Sequence, residues 1–434
     1  MIDTQPCAIV EGHARATQEL WSAIDKFCAW LGESEGVSYD PYDVLGTRYG
    51  RWARRLYYRK SPLGIVLTAP LILMEILSPQ LRAFFVEKQR FPTADAQLAL
   101  AFLNLYETLR AQDERRTSEY SEDDRSAMGC LHKAEALAAE LLKQSSAGYR
   151  GFCWGYPFDW QHVNGLMPRG TPHITATPYC YETFTRLYDL TGDAHYLDVA
   201  RSIATFVAED IKDTPTGRGA AASYTPHDHG KVVNASAYRA FVLFDAAQRF
   251  HHQEYFTKAQ NNLRFVLDSQ GSDGSWLYAI DNPPEAFIDN FHTCFVLKNL
   301  YKLNQHLRSP EVTESVRRGY GFYRAELFDE QDNPKSYAVA PRTEIVRLEM
   351  YNFAEAITLG TLLKDDIPGA FALANELAAR LIHQYQRPAG YWITRVYRGG
   401  IRHSVPFLRW PQAQLFLALT NLLMASESAG EMTS

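Results

Sequence analysis

The chain has 434 residues, enough to bury a large core as one big domain or two smaller ones. Its 46% hydrophobic and 22% charged residues are ordinary for a soluble globular protein, and a net charge of −6 argues against a nucleic-acid partner, which would need a basic excess. Many of the 25 Tyr and 8 Trp fall in loops rich in Gly and Pro, where flat ring faces suit sugars as well as ordinary loop packing.

In chain order, the opening MIDTQPCAIVEGHA lacks a basic start followed by an apolar run, so no signal peptide is read there and a cytoplasmic location is expected. TQELWSAIDKFCAWL (17–31) has helical spacing but no partner beside it. Residues 39–90 break the pattern of the rest. RYGRWARRLYYRK (48–60) packs Arg48, Arg51, Arg54, Arg55, Arg59 and Lys60 together, and LGIVLTAPLILMEIL (63–77) follows at once. That apolar run is too short to span a bilayer and is interrupted by Pro70. Residues 48–77 fit either a peripheral contact with an anionic membrane, the inner membrane in a bacterial cell, or an arm packed outside the main domain with its basic face solvated.

From about Thr93 onward, helix pairs alternate with aromatic-rich loops at a period of roughly 55–65 residues. DAQLALAFLNLYETLR pairs with SAMGCLHKAEALAAELLK across a charged stretch, Asp113–Arg125, that reads as an exposed linker. YCYETFTRLYDL and HYLDVARSIATFVAEDI are joined by Gly192, suited to a left-handed helix end, and Asp193, suited to capping the next helix. ASAYRAFVLFDAAQRF with EYFTKAQNNLRFVLDSQ repeats the design, as do FHTCFVLKNLYKL with Pro310–Leu327 and LEMYNFAEAITLGTLL with GAFALANELAARLIHQY. The final QAQLFLALTNLLMA is unpaired, like the first helix, so the two are expected to meet and close a ring of six hairpins. The fold expected is therefore all-α, an (α/α)6 toroid, with residues 1–90 as N-terminal helix plus arm and 91–434 as the toroid. The more apolar first helix of each pair should line the inside, and the longer loops before these helices should gather as the mouth. An open α-solenoid, a binding scaffold, is the alternative, disfavoured by the irregular loops. Cys7, Cys28, Cys130, Cys153, Cys180 and Cys294 contain no C-x-x-C pair and read as free thiols.

The hairpin LYDLTGDAHYLDVA and the segment SQGSDGSWLY resemble the six-hairpin glycosidase and terpenoid-cyclase-like toroids. The run TPYCYETFTRLYDLTGD, GRGAAASYTP, VVNASAYRA, FIDNFHTCFVLKNLYK is similar to VpsJ-type proteins of bacterial exopolysaccharide and O-antigen gene clusters. The resemblance covers most of residues 90–425 and implies carbohydrate chemistry more often than isoprenoid or peptide work. Toroid uronate lyases and C5-epimerases join a His or Tyr base to Asn or Arg neutralisation of the substrate carboxylate. Tyr224, Asn234, His292 and Arg342 offer that vocabulary, without a lyase signature such as N-N-H-S.

The candidate site residues lie in the loops of the expected mouth. Asp289 and His292, at i and i+3 where an inner helix begins, are the leading proton-transfer pair; a helix cap with a buried histidine is the plainer alternative. His227, Asp228 and Tyr224 are further catalytic candidates; His227-Asp228-His229 lacks a third and fourth ligand, so no metal is expected. Asp159, Trp160, His162, Arg218, Asn234, Trp276, Tyr278, Arg342, Arg347, Arg402 and Trp410 are candidate substrate contacts. With Arg169, Arg395 and Arg409, the arginines suggest an anionic ligand, an acidic glycan or a lipid-linked oligosaccharide. Asp159, Asp228, Asp289 and Glu349 supply possible carboxylate pairs for glycoside hydrolysis, so hydrolase and lyase or epimerase stay open. No G-x-G-x-x-G or Walker loop occurs, and no cofactor is expected. A carbohydrate-active enzyme of bacterial surface-polysaccharide metabolism is the leading expectation. A non-catalytic glycan-binding or assembly protein comes second, and an isoprenoid-handling toroid third, since no D-D-x-x-D motif appears.

Overall fold

A computed structural model describes residues 5–115, 126–341 and 344–431, so part of the expected charged linker and Arg342 lie outside the described residues. The helices are α1 (Gln5–Glu33), α2 (Asp43–Gly46), α3 (Arg48–Tyr58), α4 (Pro62–Leu77), α5 (Pro92–Arg115), α6 (Ala127–Lys143), α7 (Thr177–Thr191), α8 (Ala194–Glu209), α9 (Val233–Phe250) and α10 (Gln253–Asp268). They continue with α11 (Asn290–Leu307), α12 (Pro310–Glu326), α13 (Met350–Leu362), α14 (Ala370–Arg380) and α15 (Ala413–Glu431). Local sequence sets their ends. Gly192 takes the left-handed conformation (φ 72°) after α7, and Asp193 Oδ1 accepts the His195 N–H at 2.9 Å to start α8. Ser309 before Pro310 starts α12 in the same way.

Helices α5, α7, α9, α11, α13 and α15 pack in succession, and α15 returns to α5, so the ring is closed. Each inner helix carries an outer one: α6, α8, α10, α12 and α14 on the first five, and α1 on α15. Burial follows the layers. The inner α9 hides residues on every side, among them Val233, Tyr238, Phe241 and Phe244, while the outer α10 buries one stripe of Tyr255, Ala259, Leu263 and Val266. The first and last helices close the circle, as the unpaired sequence segments predict.

The closure is well packed. Phe27 of α1 is fully buried, its ring 4.9 Å from those of both Trp392 and Phe416. Gln386 donates to Ala23 O of α1 and to Gly390 O, each at 2.9 Å. Gly390 (φ 103°) approaches α1 so closely that a Cβ would sit 2.1 Å from Lys26 O.

Short antiparallel ladders, which the helical periodicity does not announce, brace the loops at one end. They are β1 (Trp160–His162) with β2 (Gly165–Met167), β3 (Asp213–Thr216) with β4 (Gly219–Ala222), and β5 (Ile288–Asp289) with β6 (Tyr337–Val339). A three-stranded piece joins β7 (Val346–Glu349), β8 (Arg395–Tyr397) and β9 (Arg402–His403). The arm, α2 to α4 and a following 3-10 turn (Pro79–Phe84), packs against β1 at this same end.

Phe27→Ala should lower unfolding free energy by about 3–5 kcal/mol, as for other buried aromatics, read from the denaturant midpoint at unchanged slope.

Candidate functional site

The loops preceding the inner helices enclose a cavity of about 840 Å³, and the arm forms part of its rim through Tyr42, Arg54, Tyr58 and Ile65. Its walls are largely aromatic, with Tyr156, Trp160, Tyr224, Tyr278, Tyr351 and Trp410 prominent. Trp410 stacks on Tyr351 at 3.9 Å, and Trp160 stacks on Tyr42 at 5.7 Å. A second chamber of about 740 Å³, holding His227 and Asp228, shares Trp160, His162, Tyr224, Tyr278 and Glu285 with the first, so the whole is an elongated cleft.

The polar centre is the start of α11. Pairing of β5 with β6 and the Asn290 N–H donated to Ser336 O (3.0 Å) hold Asp289 extended. Asp289 Oδ1 accepts the His292 backbone N–H at 3.1 Å, capping the helix, while Oδ2 lies 2.7 Å from His292 Nδ1. The cap and the dyad are thus the same carboxylate. A proton on Nδ1 leaves Nε2 with its lone pair free, the tautomer a general base needs. The imidazole sits between the rings of Phe291 (4.3 Å) and Tyr278 (4.5 Å).

Glu285 is the other acid of the cavity wall, and sequence reasoning missed it. It ends a short 3-10 turn (Pro283–Glu285) and is 5% exposed. Burial above all pushes its carboxyl up, helped by the Asp228 charge, against the lowering effect of Asn164 and Asn282. His162 Nε2 lies 3.3 Å from Glu285 Oε1. Burial and the Arg54 charge lower the His162 pKa to about 4, so the imidazole is neutral near pH 7 and the contact is not an ion pair. Buried His173, lowered to about 3 chiefly by burial, lies 4.5 Å from Tyr156, itself pushed up to about 12 by burial.

Among the cleft groups with unused hydrogen-bonding capacity are Asn234 and Arg54. Asn234 is buried on the wall with neither amide atom partnered among the described residues. Arg54 donates one nitrogen to the Tyr58 hydroxyl, while its Nη1 is buried without a partner among the described residues. Unpaired buried polar atoms are costly, and a polar ligand would satisfy both.

Of the sequence candidates, Asp289, His292, Tyr224, Trp160, His162, Asn234, Tyr278 and Trp410 line the main cavity. His227 and Asp228 face the second chamber, where Asp228 is occupied by the N–H groups of Tyr224, Thr225 and Gly230 and so shapes a turn. The others stand elsewhere. Asp159 pairs with Arg51 at 2.8 Å, and Trp276 donates to Val266 O inside the core. Arg218 pairs with Asp268 on the surface, Arg347 is exposed on β7, and Arg402 reaches Gln384 O. Among the described residues the expected arginines do not cluster in the cavity: Arg395 is held by Glu349 at 2.5 Å, and of the described members of that set Arg409 alone lines the wall, bidentate to Asp40 at 2.6 and 2.9 Å. A guanidinium with an unpartnered nitrogen, that of Arg54, comes from the arm.

No family model and no curated protein matches this chain. Solved structures do. The GH76 α-mannanase of Bacteroides thetaiotaomicron aligns with TM-score 0.56 and 11% identity over 91% of this chain and 100% of its own. An unsaturated glucuronyl hydrolase specific for heparin aligns with TM-score 0.53 and 13% identity over 80% and 89%. A sugar epimerase from a ruminal bacterium aligns with TM-score 0.53 and 12% identity over 81% and 98%. These likenesses place the chain in the (α/α)6 toroid fold.

Because one carboxylate both caps α11 and orients His292, the roles separate by substitution. Asp289→Ala should cost about 1–2 kcal/mol of stability, and Asp289→Asn, an equally good cap, much less, compared in denaturant titrations.

Proposed function

We propose that the chain is a carbohydrate-active enzyme that moves protons on an acidic glycan or lipid-linked oligosaccharide, as a uronate lyase or C5-epimerase would. One observation carries the choice over glycoside hydrolysis. Among the described residues, the carboxyl groups lining the main cavity are Glu285 and Asp289, and Asp289 is committed to His292 and the helix cap. Hydrolysis by the common routes needs two independent carboxyls across the bond, whereas proton abstraction needs a base, an acid and a countercharge. Asp159, Asp228 and Glu349, the other carboxylates considered for a hydrolytic pair, are occupied by Arg51, a turn and Arg395.

In this reading the substrate carboxylate binds Arg54 and Asn234, which withdraws charge from the adjacent carbon. His292 Nε2 takes the proton from C5, and Asp289 steadies the imidazolium that results. For elimination, the C5–H electrons form the C4=C5 bond, the C4–O bond breaks, and protonated Glu285 gives its proton to the leaving oxygen. For epimerisation, the proton returns to C5 from the opposite face. The stacked rings of the cleft suit successive sugars. The mannanase, glucuronyl hydrolase and epimerase with this fold all act on carbohydrate by their descriptions. A surface-polysaccharide setting is supported by the VpsJ-type resemblance, whose segments contain Tyr179, Tyr224, Asn234, Asp289 and His292.

Incubation with acidic glycans should give ultraviolet absorbance from an unsaturated uronate, or solvent deuterium at C5 without cleavage. Reducing ends alone would instead establish hydrolysis. Asp289→Asn should lower turnover by about 10²–10⁴-fold while glycan binding survives; intact turnover would remove the dyad from the mechanism, and binding of glycan without turnover by the native chain would make it a binding protein.

The rate should also fall with rising pH as Glu285 loses its proton, and burial sets this limb above the ordinary carboxylate range. Glu285→Gln should abolish that limb along with most of the activity, as measured by kcat/KM against pH.

A further inference from the structure

The arm reverses the usual rule for a surface helix. Helix α4 turns Gly64 and Thr68 inward and its large apolar side chains outward. Gly64 lets α4 approach α3 so closely that a Cβ would lie 2.2 Å from Tyr57 N. On the outer side, Ile65, Val66, Leu73 and Leu77 are 54–65% exposed, and Phe84 of the following 3-10 turn is 81% exposed. From Pro62 to Met74 there is no charged residue, and Glu75, the first, is turned toward buried Arg82 and His403. Small residues at the helix contact with apolar residues outside is the pattern of helices solvated by lipid. An apolar patch of this size on a soluble chain marks a docking surface.

The adjoining α3 identifies the partner. Within a chain of net charge −6, residues 48–60 carry six cations and no acid. Arg48, Arg55, Arg59 and Lys60 are exposed and have no ion-pair partner among the described residues. Tyr49 and Trp52, both 42% exposed, stand on the same helix, and such rings favour the headgroup level of a bilayer. A second copy of the chain fits this surface poorly, since a two-fold contact would bring the same arginine row against itself. No helix among the described residues is long and apolar enough to cross a membrane.

We infer that α3, α4 and the 3-10 turn form a peripheral docking surface for an anionic lipid bilayer, with the apolar side chains entering the interface and the arginines meeting lipid headgroups. Tyr57, Tyr58, Lys60 and Ile65 of this surface also border the cavity, so docking sets the mouth of the cleft beside the lipid. That geometry would let a glycan be processed while still attached to a lipid carrier, a consequence resting on the proposed function; the docking itself does not.

The test is co-sedimentation of the full chain with vesicles of phosphatidylcholine alone or with 30% phosphatidylglycerol, which needs no substrate. The native chain should partition to the anionic vesicles and far less to neutral ones. The triple variant Arg48→Gln, Arg55→Gln, Arg59→Gln should lose binding on the order of 100-fold, about fivefold per arginine. Val66→Glu with Leu73→Glu should also abolish it, and because both side chains are exposed the circular dichroism melt should not fall. Absence of binding by the native chain, or equal binding by the variants, would overturn the proposal. So would a concentration-dependent dimer in light scattering that Val66→Glu with Leu73→Glu dissolves while native chain leaves vesicles unbound, since that would show a second copy covering the face.

Discussion

Closure of the ring is the constraint on which the other features rest. The inner helices bury polar side chains that only neighbouring inner helices can satisfy, and each is costly if left alone. Lys298 of α11 pairs with Glu355 of α13, both buried, and Gln414 of α15 donates to the same carboxylate. Asn104 of α5 donates to Thr420 and Asn421 of α15 at 3.1 and 2.7 Å and accepts from Arg186 of α7 at 2.6 Å. An opened ring would strand these groups. Placing α1 over α15 therefore does more than cover apolar surface, because it holds together the pair of helices that completes the polar belt.

A closed ring also decides where chemistry can occur. Helix-to-helix turns such as Gly192–Asp193 are too short to carry a site, and the described loops before the inner helices emerge at the opposite end. There, limited water access separates the behaviour of similar groups. Asp289 has an imidazole and a helix start as partners, whereas Glu285 has amides and a neutral histidine, and burial raises its affinity for a proton. Two carboxyls a few residues apart in the chain are thereby set in different surroundings, Asp289 bound to an imidazole and a helix start and Glu285 raised by burial.

Much of this is legible in the sequence. Helical spacing, the left-handed glycine and the cap residue identify the hairpins, and two unpaired end helices imply closure. The Asp289–His292 dyad was legible because its members are neighbours on one helical turn. Glu285 was not, since a Pro-Pro-Glu turn reads as a surface loop and its burial depends on His162 and Asn164, more than 120 residues away in sequence. The arginines misled for the same reason. Arg409 is neutralised by Asp40, 369 residues earlier, and Arg395 by Glu349, 46 residues earlier, pairings no local pattern reveals. The short β-ladders escaped because pieces of two to four residues leave no periodicity to detect.

The arm shows why local oddity in a sequence can be worth more than local agreement. Fifty-odd residues that fit neither the repeat nor the layer logic could have been a passive strap. Instead α3 presents two sets of side chains at different faces. Arg54 turns into the cavity and lowers the basicity of His162, while Arg48, Arg55 and Arg59 remain in solvent. Asp40, at the start of the same arm, holds Arg409 on the far wall. The arm thus brings to the cleft the Arg54 guanidinium, with its unpartnered Nη1, and cancels the charge of Arg409. Any change in how the arm sits on the ring, including what lies against α4, must be felt at the electrostatics of the site.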